Sequence, residues 1–171
     1  MASTATISDP ASSQTDARAG KYLTFHLVEE EFGVRVLKVR EIMGLQEITA
    51  VPQTPAHVKG VINLRGKVIP VIDLRLKFGL PSADYGQRTC IIVAQVQGEA
   101  GPILMGVIVD GVSEVLSLTA AEIEDTPDFG DDAAGQFLLG MAKVKGKVKI
   151  LLDIDKVLSS QDLHRLAEMI H

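Results

Sequence analysis

Turn signals recur about every ten residues along this chain, and the runs between them are short, apolar and rich in Val and Ile. Branched side chains of this kind pack well on a pleated surface and lose rotamer freedom in a helix, so the runs favour strands. Leu23, Phe25 and Leu27 fall on one face of a strand beginning at Tyr22. Glu29-Glu30-Glu31 then marks a turn, and Phe32, Val34 and Val36 alternate again. Val36, Val39 and Ile42 suit either a strand or a helical turn. In Thr54 to Gly60 a capping Thr, a Pro at the first helical position and a terminating Gly predict a single helical turn. Beyond it, Val61-Ile62-Asn63-Leu64 and Val68-Ile69-Pro70-Val71-Ile72 flank Arg65-Gly66-Lys67, which predicts a hairpin. Pro70 has no N–H for a ladder and argues for an edge or a bulge.

The second half repeats the pattern. Gln87 to Val96 and Leu104 to Leu116 are β-rich, joined by the turn-like Gln97 to Pro102 and interrupted at Asp110-Gly111. Thr119 and Glu122 have capping-box spacing, and Asp125 to Gly135 is an acidic, Gly-bearing loop. Leu138 to Val144 and Val148 to Leu152 form a last hairpin around Lys145-Gly146-Lys147. Its basic turn and following Asp153 resemble Arg65-Gly66-Lys67 and Asp73, a hint of duplication. Ser160 caps a final helix striped by Leu163, Leu166, Ala167 and Ile170. This order of elements predicts an all-β chain of small barrels.

At 171 residues one domain is expected, and residues 1–20, almost without large apolar side chains, form a mobile tail. A net charge of −5 with no dense Lys/Arg run argues against nucleic acid as a partner. With neither a signal-like start nor an apolar run of spanning length, the expected place is the cytoplasm, with no direct membrane insertion. The lone Cys90, inside an apolar run, reads as a buried small hydrophobe.

Chemistry-bearing motifs are sparse. His26, His57, His164 and His171 lack metal-pair spacing, and no phosphate-cradling Gly loop or nucleophile elbow occurs. Asp73, Asp110, Asp153 and Asp155 stand at strand ends, where an Asp most often caps a turn; a metal-dependent hydrolase built on them is the weaker alternative. No catalytic, cofactor-binding or metal-ligating residue is assigned. The exposed Arg65 beside Gly66 and aliphatic neighbours is instead what an interface uses as an anchor.

The stretch Thr54 to Gly79, with its core Gly60-Val-Ile-Asn-Leu-Arg-Gly-Lys-Val-Ile-Pro-Val-Ile-Asp-Leu-Arg75, closely resembles the signature of the CheW family. Gly106 to Leu116, Ile150 to Leu158 and Tyr22 to Ile42 resemble further segments of it. The resemblance implies two SH3-like five-stranded β-barrel lobes sharing a hydrophobic core over residues 21–158, with a lobe boundary near 80–88 and strand exchange possible. A short C-terminal helix over 159–171 follows. It further implies a non-catalytic adaptor without cofactor. Its partners would be a chemoreceptor cytoplasmic signalling tip and the regulatory domain of a CheA-type histidine kinase, at membrane receptor arrays. Interface residues carried by the resemblance are Val39, Glu41, Lys59, Gly60, Arg65 and Gly66. A related scaffold serving a chemosensory-type kinase pathway with an output other than motility is the nearest alternative.

Overall fold

The computed structural model describes residues 17–81, 84–98, 101–125 and 137–157. Strands β1 (Gly20–Leu27) and β2 (Glu30–Arg35) form a hairpin, and a 3-10 turn, Val36–Lys38, leads into β3 (Val39–Gly44). Both readings of the ambiguous Val36–Ile42 stretch are therefore realised in succession. The predicted helical turn at Thr54–Gly60 is only a reverse turn, closed by Val58 N–H donating to Pro55 O at 3.0 Å. Thr54 Oγ1 donates back to Val51 O instead of capping forward, and β4 (Val58–Leu64) already begins at Val58. The β4 strand and β5 (Lys67–Asp73) make the predicted hairpin, and α1 (Leu74–Lys77) follows, its first turn capped by Asp73. Then come β6 (Cys90–Gly98), β7 (Gly101–Val109), β8 (Gly111–Leu118) and the two-residue β9 (Ile123–Glu124). The last hairpin joins β10 (Leu138–Val144) to β11 (Lys147–Leu152), and α2 (Ile154–Val157) closes the described chain.

The strands assemble into a six-stranded sheet, β8-β1-β2-β11-β10-β9, and a five-stranded one, β3-β6-β7-β5-β4. The chain is all-β with only short helices, as expected, in two sheets whose ladders end at β8 and β9 in one and at β3 and β4 in the other without closing, the first lengthened by β9. Residues 80–88 lie between α1 and β6, and the strands on either side of them, β5 and β6, both belong to the second sheet. The second sheet is a continuous stretch of chain, β3 to β7, inserted between β2 and β8 of the first. After the β1–β2 hairpin the chain crosses to pair β3 with β6; after the β6–β7 hairpin it crosses back to pair β8 with β1. Each sheet then contains one parallel join, β5 with β7 and β11 with β2. Pro70 sits in an interior strand, but the β7 ladder begins only at Val71, so its missing N–H interrupts nothing on that side.

Alternation along the central strands builds three cores. On β6, Ile92, Ala94 and Val96 point into the core shared by the two sheets, while Ile91 and Val93 point into the curl of the second sheet with Ile62, Ile69, Val71 and Ile108. On β1, Leu23, Phe25 and Leu27 enter the shared core, and Tyr22 enters the first sheet's own core with Leu118, Ile123, Ala142 and Leu151. Four phenylalanines, Phe25, Phe32, Phe78 and Phe137, run through the shared core as consecutive stacked pairs with centroids 5.7 to 6.0 Å apart. Cys90 is half-buried at the edge of this core rather than inside it, and burial pushes its thiol above the ordinary value.

The end of the predicted tail is part of the fold. Arg18 Nη1 donates to Asp125 Oδ1 and to Leu139 O, both at 3.0 Å, and Tyr22 Oη donates to Arg18 O at 2.6 Å. Residues 1–16 of the tail, most of the acidic 125–135 loop and the predicted helix over 159–171 lie outside the described residues.

Candidate partner-binding surface

The tip of the β4–β5 hairpin is built by two consecutive residues in the left-handed region, Arg65 at φ 50° and Gly66 at φ 87°, the backbone a two-residue hairpin turn demands. Asn63 Oδ1 accepts from Gly66 N–H at 2.9 Å and fixes the turn. That geometry carries the Arg65 guanidinium, 72 % exposed, to the Glu41 carboxylate on β3, where the two form a charge-assisted hydrogen bond. Since β3 and β4 are the two edges of the second sheet, the pair spans its open seam.

Beside the pair lies a groove of about 380 Å³ lined by Arg40, Glu41, Leu64, Arg65, Lys67, Val93, Gln95, Pro102, Ile103 and Leu104. Its floor is apolar and its rim mainly cationic. Arg40 is held at the rim by donating from Nε to Gln95 Oε1 at 3.2 Å and from Nη1 to Leu37 O at 2.9 Å. The fold thus brings Glu41, Arg65 and Gly66 together. Val39 is half-buried against the shared core, opposite Ala94. Lys59 lies elsewhere, its Nζ 5.9 Å from the Tyr85 ring centroid. Gly60 serves the backbone: at φ 141°, a Cβ there would stand 2.0 Å from Thr49 O, in the bridge that ties Thr49 to Val61. Lys67 belongs to the basic turn visible in the sequence, but Arg40, Gln95 and Pro102 were not signalled as part of this surface, because they come from three different strands whose adjacency no local pattern encodes.

The strand-end carboxylates have structural partners. Asp73, 1 % exposed, accepts from Arg75 N–H at 2.9 Å and from Tyr85 Oη at 2.8 Å. The Arg75 guanidinium lies 3.4 Å from Asp73 and 3.1 Å from Asp110 and stacks on the Tyr85 ring. Burial works to lower the Arg75 value, but Asp73 and Asp110 hold it above its ordinary one; burial and then Asp73 push the Tyr85 phenol up. Asp110 in turn accepts from Val28 N–H at 2.6 Å, tying the β1–β2 turn of the first sheet to the second. Asp153 caps α2, and Asp155 pairs with Lys38 at 2.7 Å and accepts from Gln97 N–H. Among the described residues no group of three or more His, Cys, Asp or Glu gathers around a common point. Nor is any described helix long and apolar enough to cross a membrane.

An exposed ion pair beside a groove with apolar residues in its lining makes this face a candidate protein-binding surface. A family model described as CheW-like domain matches residues 21–162, and the chain belongs to that family. It is 40% identical over 163 residues to the chemotaxis protein CheW of Klebsiella aerogenes, covering 95% of this chain and 94% of the relative. It is 31% identical to the protein FrzA of Myxococcus xanthus, over 82% of this chain and 86% of that one. Among solved structures, the scaffolding protein TtCheW of Thermoanaerobacter tengcongensis superposes with a TM-score of 0.74 at 33% identity, over 84% of this chain and 95% of that one.

Proposed function

We propose that this chain is a cytoplasmic, non-catalytic adaptor of chemotaxis signalling, recruited to membrane receptor arrays, where it couples a chemoreceptor signalling tip to the regulatory domain of a CheA-type histidine kinase. Its relatives are chemotaxis and scaffolding proteins by name, and it shares their length and fold. The observation that carries the reading is the Arg65–Glu41 seam beside the apolar-floored groove. A planar guanidinium presented on a stiff turn can turn one or more of its donors to a partner carboxylate or carbonyl, while Leu64, Ile103 and Leu104 exclude water around the contact. We assign this face, with Glu41, Arg65 and Gly66, to the receptor tip; Val39 and Lys59 lie outside it, and Gly60 holds the backbone of β4 against Thr49.

The test is a series of three variants, each with its melt and its affinity for a receptor-tip peptide. Because Arg65 is largely exposed, losing its pair with Glu41 should cost the fold less than ~1 kcal/mol. Arg65→Ala and Arg65→His should weaken tip binding by about 1 to 3 kcal/mol, the range for a charged interface anchor. Arg65→Lys restores a charge but not the fork, and its rescue should be partial. Unchanged affinity in all three would remove Arg65 from the site, and a collapsed melt would make it structural.

A further inference from the structure

The β4–β5 and β10–β11 hairpins repeat one design. Lys145 and Gly146, at φ 53° and 81°, reproduce the turn of Arg65 and Gly66, and Asp73 and Asp153 each cap the short helix that follows. In both copies the second residue after that Asp reaches the segment where the chain passes from one sheet to the other. After β4–β5 it is Arg75, whose guanidinium lies 3.1 Å from Asp110, between β7 and β8. After β10–β11 it is Asp155, which pairs at 2.7 Å with Lys38, between β2 and β3. The two crossings are therefore latched at the same place with the charges exchanged. Burial separates them: the Arg75 side chain is closed off from solvent, whereas those of Lys38 and Asp155 are 33 % and 28 % exposed, so the second latch is the one that can be altered without stranding a buried charge.

Asp155 has a further contact. Its Oδ1 accepts from Gln97 N–H at 2.9 Å, on β6 beyond Ala94, where the β3 ladder stops. One carboxylate on the helix that closes the first sheet thus holds two neighbouring strands of the second, β3 through Lys38 and β6 through Gln97. The start of β3 depends on such a hold. It is an edge strand, and its register shifts between Val39 and Glu41, so Arg40 has no partner across the ladder. Arg40 is placed instead by its bonds to Leu37 O, in the turn that Lys38 ends, and to Gln95 on β6. Arg40, Glu41 and Gln95 all line the groove; neither Lys38 nor Asp155 does.

We infer that Asp155 is a positioning residue for the groove. From outside it, through Lys38 and Gln97, it fixes the start of β3 and so the places at which Arg40 and Glu41 meet a partner. The inference rests on the adaptor reading and deepens it, since the partner concerned is the receptor tip assigned to the Arg65–Glu41 face.

The full-length parent, Asp155→Ala, Asp155→Asn, Lys38→Glu and the exchanged pair Lys38→Glu with Asp155→Lys are titrated with receptor-tip peptide beside Arg65→Ala, and melts and amide hydrogen exchange are followed for each. Asp155→Ala and Lys38→Glu should weaken the tip by roughly three- to tenfold and speed exchange in β3 while β7 and the melt stay close to the parent. Asp155→Asn keeps an acceptor for Gln97 and should lose less. The exchanged pair restores the latch without the Gln97 contact and should recover about half or more of the loss in Lys38→Glu. If Arg65→Ala weakens the tip while every latch variant binds it like the parent, the positioning role falls and the adaptor reading stands. No recovery in the exchanged pair would make Lys38 a direct contact of the tip and overturn the inference. A melt lowered by more than about 5 °C in Asp155→Ala, with faster exchange throughout and Asp155→Asn binding like the parent, would make Asp155 structural only and overturn it as well. A parent without affinity for the tip would end the adaptor reading and this inference with it.

Discussion

Arg75 is 3 % exposed and charged, and its contacts with Asp73, Tyr85 and Asp110 join the hairpin of the second sheet to the crossing strand that returns to the first. A buried charge with compensating partners adds little net stability, but removing one partner strands the others. Arg75→Met should therefore destabilise by about 3 to 5 kcal/mol, read as a lower urea midpoint with an unchanged slope, because Asp73 keeps its burial and loses its counter-charge. A loss below ~1 kcal/mol would mean that Asp73 is satisfied by Tyr85 and backbone alone. The Glu31–Lys149 pair makes a pH prediction. Lys149 donates to the Glu31 carboxylate and, against the effect of burial, holds its value below the ordinary one. The folded state thus binds that proton less readily than the unfolded chain, so the pair's contribution is complete above the ordinary Glu range and is lost as pH falls through the lowered value. Glu31→Gln should destabilise at neutral pH and show a shallower loss of stability than the parent between about pH 5 and pH 3, measured as urea midpoints. Parallel acid limbs would refute the assignment.

At the scale of the hairpins, two glycines separate shape from space. A Cβ at Gly66 would meet nothing within 4 Å, whereas one at Gly60 would collide with Thr49 O. Gly66→Ala should accordingly cost about 1 to 2 kcal/mol, the left-handed backbone alone, while Gly60→Ala should cost more than ~3 kcal/mol because the Thr49–Val61 bridge must open. Equal losses in the two melts would show that close approach at Gly60 does not matter. These hairpins were legible because their information is local: alternating apolar residues around Arg65-Gly66 and Lys145-Gly146 specify a turn and its register. The turn at Thr54–Gly60 was misread for a physical reason. Its Thr and Pro have helix-start chemistry, but Val58 and Ile62 are claimed by cores from which a helix would withdraw them. The sequence could not show that β2 pairs with β11, Phe32 beside Ile150, because a parallel join between distant segments leaves no local periodicity. Glu41 and Arg65 were named through family resemblance, and the placement of β3 and β4 at the two edges of the second sheet explains why they meet.

For the whole molecule, the second sheet is one continuous piece of chain, β3 to β7, set between β2 and β8 of the first, and the shared core with its stacked phenylalanines belongs to both. The shared core joins the two sheets into one body, which suits a part that couples two partners. It also makes the central claim testable as geometry, apart from any single residue. Full-length chain saturated with receptor-tip peptide should be titrated with the kinase regulatory domain while sedimentation velocity records the species present. Two separate faces predict a three-component boundary heavier than either binary complex, with kinase-domain affinity changed by no more than roughly threefold by the bound tip. Displacement of the tip by the kinase domain in direct competition, with only binary species at saturation, would contradict it.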